Sequence, residues 1–482
     1  MAATETPRTI TEPSRDIPVA GQAEVLVAGG GVAGIAAALA AARNGSDTLL
    51  VERGAFLGGT ATSALMHVFY TPYSSTRGIL REICDRLAAR SAAELGELIP
   101  FDPEAFKYVV MEMLAEAGVR FLLHSYISRV LVNDGQVRGL VVENKSGRQA
   151  ILARVIVDAT GDGDVSALAG APFEIGRSSD GKTRPMTLLF RMGGVNTETL
   201  KQYVRDHPEE FTTDPNTTSV DPGFRSFRIF GFFGLVDAAR KRGEIDPDCH
   251  WVRVEGLDER RGMVLINSTN VYSSGVDATA LTNAELSGRR QVHQLEAFLR
   301  KHVPGFASAY LVEVGGSIGV RETRRILGDY MLTEQDVAED RHFDDVVALD
   351  WERHSRLARG GGIDPHIVGG HSPDGQTAPR PVGAHRPDPA PLIAVRVPYR
   401  CLVVRGVEGL LVAGRCISTT HEAQGYTRNQ GCCIATGQAA GTAAALACRH
   451  DTTPRRLSAH AVQERLAESG VDPNAPMPGH TP

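Results

Sequence analysis

The chain has 482 residues, 42 % of them apolar and 22 % charged, with a formal net charge of −6. That length allows two or three lobes with substantial cores, and the composition is that of an ordinary globular enzyme. Acids and bases are interspersed, which argues against a nucleic-acid or acidic-membrane surface. Seven cysteines without a C-x-x-C pair suit reduced thiols in the cytoplasm.

Residues 1–21 are rich in Thr, Pro, Ala and Glu, lack an apolar h-region, and are expected to form a disordered tail. Ala23–Ala28 is apolar apart from Glu24 and reads as a buried strand. Gly29-Gly30-Gly31-Val32-Ala33-Gly34 then fits G-x-G-x-x-G. Ile35–Ala42 is an alanine-rich helix pattern closed by Gly45, and Thr48–Val51 is a second strand ending on Glu52. Dinucleotide binding needs this order. Gly29 makes the tight turn, Gly31 admits a pyrophosphate, Gly34 packs helix on strand, and a carboxylate about twenty residues on accepts from a ribose hydroxyl. The same pattern, with four glycines, argues against a membrane span over Val25–Ala42.

Further along, Gly58-Gly59 suggests a second close approach of backbone to a ligand. Asp102-Pro103 opens a helix over Phe106–Ala117. Val119–Val157 reads as a β-meander with turns at Asn133-Asp134-Gly135 and Lys145-Ser146-Gly147. Its last strand runs into Asp158-Ala159-Thr160-Gly161-Asp162-Gly163-Asp164, again a buried strand, a glycine turn and an acid-capped helix. From 172 to 395 the pattern loosens: a strand over Thr187–Met192, helices over Phe232–Arg242 and Glu285–His302, and a Gly/Pro/His/Asp loop over 359–392 of functional-lid or disordered character. Strands at Tyr399–Val404 and Gly409–Val412 lead to Ala413-Gly414-Arg415-Cys416. A small-residue helix over Ile434–Ala447 and an amphipathic one near 455–468 follow.

These blocks resemble the FAD-dependent oxidoreductases of the glutathione-reductase-like superfamily. More narrowly, the chain is similar to the bacterial FAD-dependent oxidoreductase family with an Asp-Ala-Thr-Gly-Asp-Gly-Asp box, here Asp158–Asp164. The likeness extends to Leu410–Ser418 with Gly437–Gly441, to Phe190–Val195 and to Ile318–Arg325, and spans roughly 22–470. It implies an α/β fold: a Rossmann-like FAD-binding domain, with a parallel central sheet plus β-meander, built from 22–171 and 396–450. An inserted α+β substrate or cap domain would span 172–395, and 451–482 would be a C-terminal helix and tail. FAD would lie extended, with Gly29, Gly31 and Gly34 at the pyrophosphate and Glu52 at the adenosine ribose. Gly58 and Gly59 would line it, Gly161 would lie near its adenine half, and Gly414 near the pyrophosphate–ribityl region. Val32, Ala33, Arg53, Thr60, Ala159, Thr160 and Arg415 are counted with the same site. Many related flavoproteins place an acid after the last glycine; this chain has Arg415, so only backbone proximity carries over.

A flavin supplies the redox chemistry, and substrate oxidation needs a base beside the leaving proton. Three clusters contain one. Asp364 and His366 lie in the long loop, with a solvated loop histidine as the plainer reading. Thr419-Thr420-His421-Glu422 with Tyr426, Arg428 and Asn429 precedes the small-residue helix, where His421 and Arg428 are flavin or substrate candidates and helix capping is the alternative. His67, after the Gly58-Gly59 turn, is a base, a substrate contact, a covalent flavin anchor, or simply a core histidine bonded to a carbonyl. Arg321, Glu322, Arg324 and Arg325 read as a charge network anchoring two lobes rather than a substrate grip. Phe224, Phe227, Phe230, Phe232 and Phe233 read as core. Cys432-Cys433 reads as packing, and no metal-ligand spacing occurs.

One dinucleotide unit and no second for NAD(P)H favour a dehydrogenase or oxidase that passes hydride from a polar small molecule, such as an alcohol or amine, to flavin. Oxygen or a separate carrier would then re-oxidise it. A flavin hydroxylase and a non-catalytic flavoprotein are the alternatives.

Overall fold

Val25, Leu26, Val27 and Ala28 expose no surface, as a central parallel strand covered on both faces requires. They belong to β1 (Val19–Ala28), which lies between β2 (Thr48–Val51) and the long strand Gly147–Asp158, parallel to both. The computed structural model describes residues 10–212, 218–220, 227–258, 261–353 and 392–475. Its main sheet has seven strands. Arg120–Leu122 extends the parallel part beyond β2, and Leu410–Val412 adds to the carboxyl half of Gly147–Asp158. The amino half of that strand carries the antiparallel meander Tyr126–Asn133 and Gln136–Asn144. Asp134 and Gly135 take φ of 50° and 72°, the left-handed pair of a tight hairpin turn.

The first helix, α1 (Val32–Arg43), is buried from Val32 through Ala41, because it is covered on its outer side by the helix Gln430–Arg449 from the other end of the chain. Both are apolar nearly all round, the composition of a helix inside a fold. Among the described residues Gln430–Arg449 is the one helix long and apolar enough to cross a membrane, yet 94 % of its apolar window is buried here. Glycine sets the separation. A Cβ on Gly437 would overlap the carbonyl oxygen of Ala33, and one on Gly441 that of Ala37.

A second sheet of five antiparallel strands runs Arg228–Gly231, Val252–Asp258, Met263–Ile266, Phe190–Gly193, Tyr310–Val314. One face packs on the helix Ala278–His302 in a core that includes Phe190, Phe227, Phe232, Val254 and Leu295. The other face, bearing Arg191, Arg253 and Glu255, is turned to the nucleotide-binding lobe.

Several boundaries differ from the sequence reading. The tail ends earlier than residue 21, because the long strand Gly147–Asp158 pairs from Val19 and Ala150 N–H donates to Pro18 O at 2.9 Å. The second core draws on Met186–Ile318 rather than all of 172–395. Arg324–Ile326 pairs with Phe173–Ile175, and the hairpin Val346–Arg353/Leu392–Pro398 puts Val347, Val395 and Val397 into the first core. Tyr399–Cys401 is a 3₁₀ turn, not the start of a strand, since Pro398 ends the ladder just before it. The helix expected from Glu285 starts at Ala278, where Asp277 accepts from Ala280 N–H at 2.7 Å.

Gly441→Ala should cost about 1–3 kcal/mol by overpacking and lower the thermal midpoint. Gly21→Ala, whose new Cβ would sit 4.0 Å from Leu49 Cδ2, should melt with the wild type.

Candidate functional site

Four parallel strands end in register. Ala28 pairs with Val51 and with Asp158, and Asp158 pairs with Val412, so the loops that follow them converge at one edge of the sheet. Ligands of open α/β sheets bind at this carboxyl edge. Gly29 (φ 96°) lies against the Ala159–Thr160 turn, where a Cβ would come within 2.6 Å of Ala159 O. A Cβ on Gly34 would overlap Gly29 O, so the glycine does bring helix onto strand. Gly31 differs from both. It is the N-cap of α1 in ordinary extended backbone, no side chain caps the helix, and a Cβ there would meet no atom within 4 Å. Open space at an uncapped helix N-terminus, with Val32 and Ala33 in the first turn, is what a diphosphate fills.

The Glu52 carboxylate is held at 2.6 Å by Gly30 N–H on one oxygen and at 2.6 Å by Gly54 N–H on the other. Each oxygen keeps a lone pair for a ribose hydroxyl. Gly58 N–H donates to Gly30 O at 2.8 Å, and a Cβ on Gly59 would lie 2.9 Å from Gly31 Cα, so the second glycine pair packs directly on the first loop. Arg53 and Thr60 are exposed at the rim. On the opposite wall, fully buried Asp158 accepts from the backbone and hydroxyl of both Thr160 and Ser166, at 2.7–3.2 Å. That fixes the Ala159–Gly163 turn. Gly414 (φ 81°) approaches α1 so closely that a Cβ would lie 2.8 Å from Ala33 Cβ. Arg415 then reaches across Gly161 to Asp162, Nη2 to Oδ1 at 2.8 Å. The residues counted with the cofactor site are thus gathered round one cradle, and their donors, carboxylate and side-chain-free approaches fit FAD.

Beside the cradle lies a cavity of about 590 Å³ between the segment 175–185, the loop 272–276, Thr323 and His421. Thr323 Oγ1 donates to Asp162 Oδ1 at 2.9 Å, the same oxygen that Arg415 uses, so the cavity wall and the cradle share a hydrogen-bonded carboxylate. His421 Nδ1 lies 2.9 Å from Glu322 Oε1. Burial alone would raise the Glu322 carboxyl, but the hydrogen bond from His421 and the charges of His421, Arg184 and Arg325 hold it below the ordinary range. An ionised carboxylate only accepts, so Nδ1 carries a proton toward Glu322, and Nε2 is the nitrogen that accepts one when the ring is neutral. Arg325 pairs with Glu322 and also donates to Gly176 O at 2.9 Å and Thr419 O at 3.0 Å. Arg184 Nη2 donates to His421 O at 2.9 Å. Glu322 and Arg325 are thus the buried centre of a network joining the segments around Gly176, Arg184 and Thr419–His421, rather than an anchor to the second core.

His67 lies elsewhere, under the charged face of the five-stranded sheet. It is 1 % exposed, with Nδ1 at 3.2 Å from Leu65 O. Burial drives its pKa down despite the nearby Glu255 carboxylate and the Leu65 carbonyl, so the ring is neutral. Arg253 Nε pairs with Glu255 Oε1 at 2.6 Å beside it. Arg428 is the half-buried C-cap of the helix His421–Thr427, so it sits past that helix rather than beside His421 on the cavity. Asp364 and His366 lie outside the described residues. Phe227 and Phe232 are core, as expected, whereas Phe230 stacks on Trp251 at 5.4 Å. All seven cysteines are buried and none is in a disulfide, and burial pushes Cys84 and Cys249 up to about 12, which suits packing groups. No metal-ligating cluster occurs among the described residues. Glu322 and Asp162 carry no local signal for these places, because each meets its partners, His421 for one and Thr323 and Arg415 for the other, only through the fold.

Gly31→Ala should leave the melting temperature of the cofactor-free protein unchanged, because the site has room, yet weaken FAD binding about tenfold or more, as read by flavin fluorescence titration. For His67 the folded pKa lies below the unfolded value of about 6.5. Its neutral form therefore stabilises the fold fully above that pH, and the contribution is lost as pH falls below it. Urea midpoints for His67→Gln should vary less than wild type between about pH 7 and 5.

Comparison with known proteins bears on the same cradle. Digeranylgeranylglycerophospholipid reductase 2 of Methanopyrus kandleri is 30 % identical over 149 residues, covering 29 % of this chain and 37 % of that protein. Reductase 1 of the same organism is 31 % identical over 152 residues, covering 29 % and 39 %. The chain thus spans well under half the length of these curated relatives. Among solved structures, a geranylgeranyl bacteriochlorophyll reductase-like protein of Thermoplasma acidophilum matches with a TM-score of 0.47 at 15 % identity, over 93 % of this chain and 84 % of that one. A p-nitrophenol 4-monooxygenase of Pseudomonas putida matches with 0.47 at 12 % identity, over 94 % and 85 %. The model of the FAD dependent oxidoreductase family matches residues 24–466, which takes in both halves of the cradle and the inserted sheet, and the chain belongs to that family.

Proposed function

We propose that this FAD-dependent oxidoreductase dehydrogenates a polar small molecule, an alcohol or amine, in the cavity beside the cradle. The observation that carries the reading is the His421–Glu322 pair on the cavity wall, one residue from Thr323, whose hydroxyl bonds the carboxylate that also holds Arg415. Bound FAD supplies the two-electron acceptor. Gly29–Gly34, Glu52, Gly58, Gly59, Gly161 and Gly414 orient it. Glu322 keeps the imidazole in one tautomer and balances the charge that His421 gains when Nε2 takes the proton of the substrate O–H or N–H. The hydroxyls of Thr183, Ser273 and Thr323 line the same cavity and suit a polar substrate. The relatives named as reductases and a monooxygenase keep the direction of electron flow as the point to test. Buried cysteines outside any disulfide support a cytoplasmic setting.

Anaerobic mixing of the FAD-loaded protein with a panel of alcohols and amines should bleach the flavin band. His421→Asn should slow that bleaching by about 10²–10⁴-fold, the range of a lost general base, with FAD content unchanged. Bleaching by NADPH in place of any alcohol or amine would overturn the reading in favour of hydroxylation or reduction. A flavin that no donor reduces would point to a non-catalytic role.

A further inference from the structure

Arg415 stands where it is shut in by the two glycine turns of the cradle. It follows Gly414, whose positive φ brings the backbone onto Ala33, and its guanidinium passes over Gly161, where a Cβ would come within 2.9 Å of Nη2. The side chain is 14 % exposed. Nη2 is satisfied by Asp162, but Nη1 is buried and has no hydrogen-bond partner. A buried, charged N–H without an acceptor is costly and rare in native structures. The same Asp162 Oδ1 also accepts from Thr323, which holds the carboxylate in place against Nη2.

We propose that Arg415 clamps the diphosphate of the bound dinucleotide, with Asp162 as the residue that positions it. A guanidinium has donors only, in a planar fork that matches a phosphate. The acceptor that Nη1 lacks is a phosphate oxygen, brought to the end of α1 where the helix N–H groups and Gly31 leave room. Sugar hydroxyls of the ribityl chain are a poorer match, since a carboxylate would serve them as donors. The family's cofactor is thereby held here by opposite charge at the second glycine turn, in addition to backbone amides at the first.

The test uses the full-length protein freed of FAD, titrated with FAD and with ADP by isothermal calorimetry. Wild type should bind both; failure to bind either would count against the cofactor assignment itself, not against Arg415. In Arg415→Gln both affinities should fall by the same factor, about tenfold or more, as expected for a lost charge-assisted bond, and FAD binding should become less sensitive to salt. Arg415→Lys keeps the ion pair and the fold and loses the fork, so it should weaken ADP by a smaller factor. An unchanged ADP affinity in both variants overturns the proposal, whether or not FAD binding falls, because a contact to the flavin half leaves ADP untouched. Melting curves of the cofactor-free variants separate lost binding from lost folding, and Arg415→Lys alone decides the matter where Arg415→Gln does not fold.

Discussion

Two helices from opposite ends of the chain approach until the backbone of one touches the other, and the rest of the molecule depends on that contact. Gly437 and Gly441 lie on the carbonyls of Ala33 and Ala37, a distance no residue with a Cβ permits. Because α1 begins at the first glycine turn, its position fixes where its N-terminal amides point. The helix Gln430–Arg449 in turn carries Thr436, whose hydroxyl accepts from Gly414 N–H at 3.1 Å. One small-residue interface therefore sets both glycine turns of the cradle. Bulky core side chains would bury more apolar surface, but they would hold the helices too far apart for Gly414 to reach Ala33.

Asp158 does the corresponding work on the sheet. It closes the register of strands from the amino-terminal and carboxyl-terminal parts, and its carboxylate takes the hydrogen bonds of the following turn. A buried carboxylate is tolerable only when so fully satisfied. From that turn Asp162 reaches both Arg415 and Thr323, so a single acidic box ties cofactor cradle to cavity. The inserted sheet enters this arrangement between Asp164 and Arg324, which are themselves paired at 2.9 Å.

The cradle was legible because it is built from backbone. G-x-G-x-x-G, Glu52, the glycine turn after Val157 and the small-residue helix each state a local conformation, and parallel strands force their ends together. The cavity was not legible, since Glu322 meets His421 across 99 residues and Asp162 meets Arg415 across 253, pairings that no local pattern encodes. The extent of the inserted unit was misjudged for a related reason. Val346–Arg353 and Leu392–Pro398 fall within the 172–395 unit by sequence position, and only the burial of Val347, Val395 and Val397 assigns them to the first core. The helix start at Ala278 is hidden because Thr279, Thr282 and Asn283 interrupt the apolar pattern of its first two turns.

Leu65 shows how the two lobes are held in one orientation. It takes φ of 58°, a left-handed conformation that costs a leucine about 1–2 kcal/mol, yet it is buried against Leu189 and Leu265 of the inserted sheet. Its neighbours are tied on every side: Gln430 Nε2 donates to Met66 O at 2.6 Å, Phe101 N–H to His67 O at 2.9 Å, and Ser317 N–H to Ser63 O at 3.2 Å. Strain of this kind persists only where surrounding bonds over-determine it. The segment thus acts as a rivet between the nucleotide-binding lobe and the inserted sheet. The charges nearest it, Arg253 and Glu255, are both buried and lie as a pair, so neither is left as an uncompensated ion beneath the sheet.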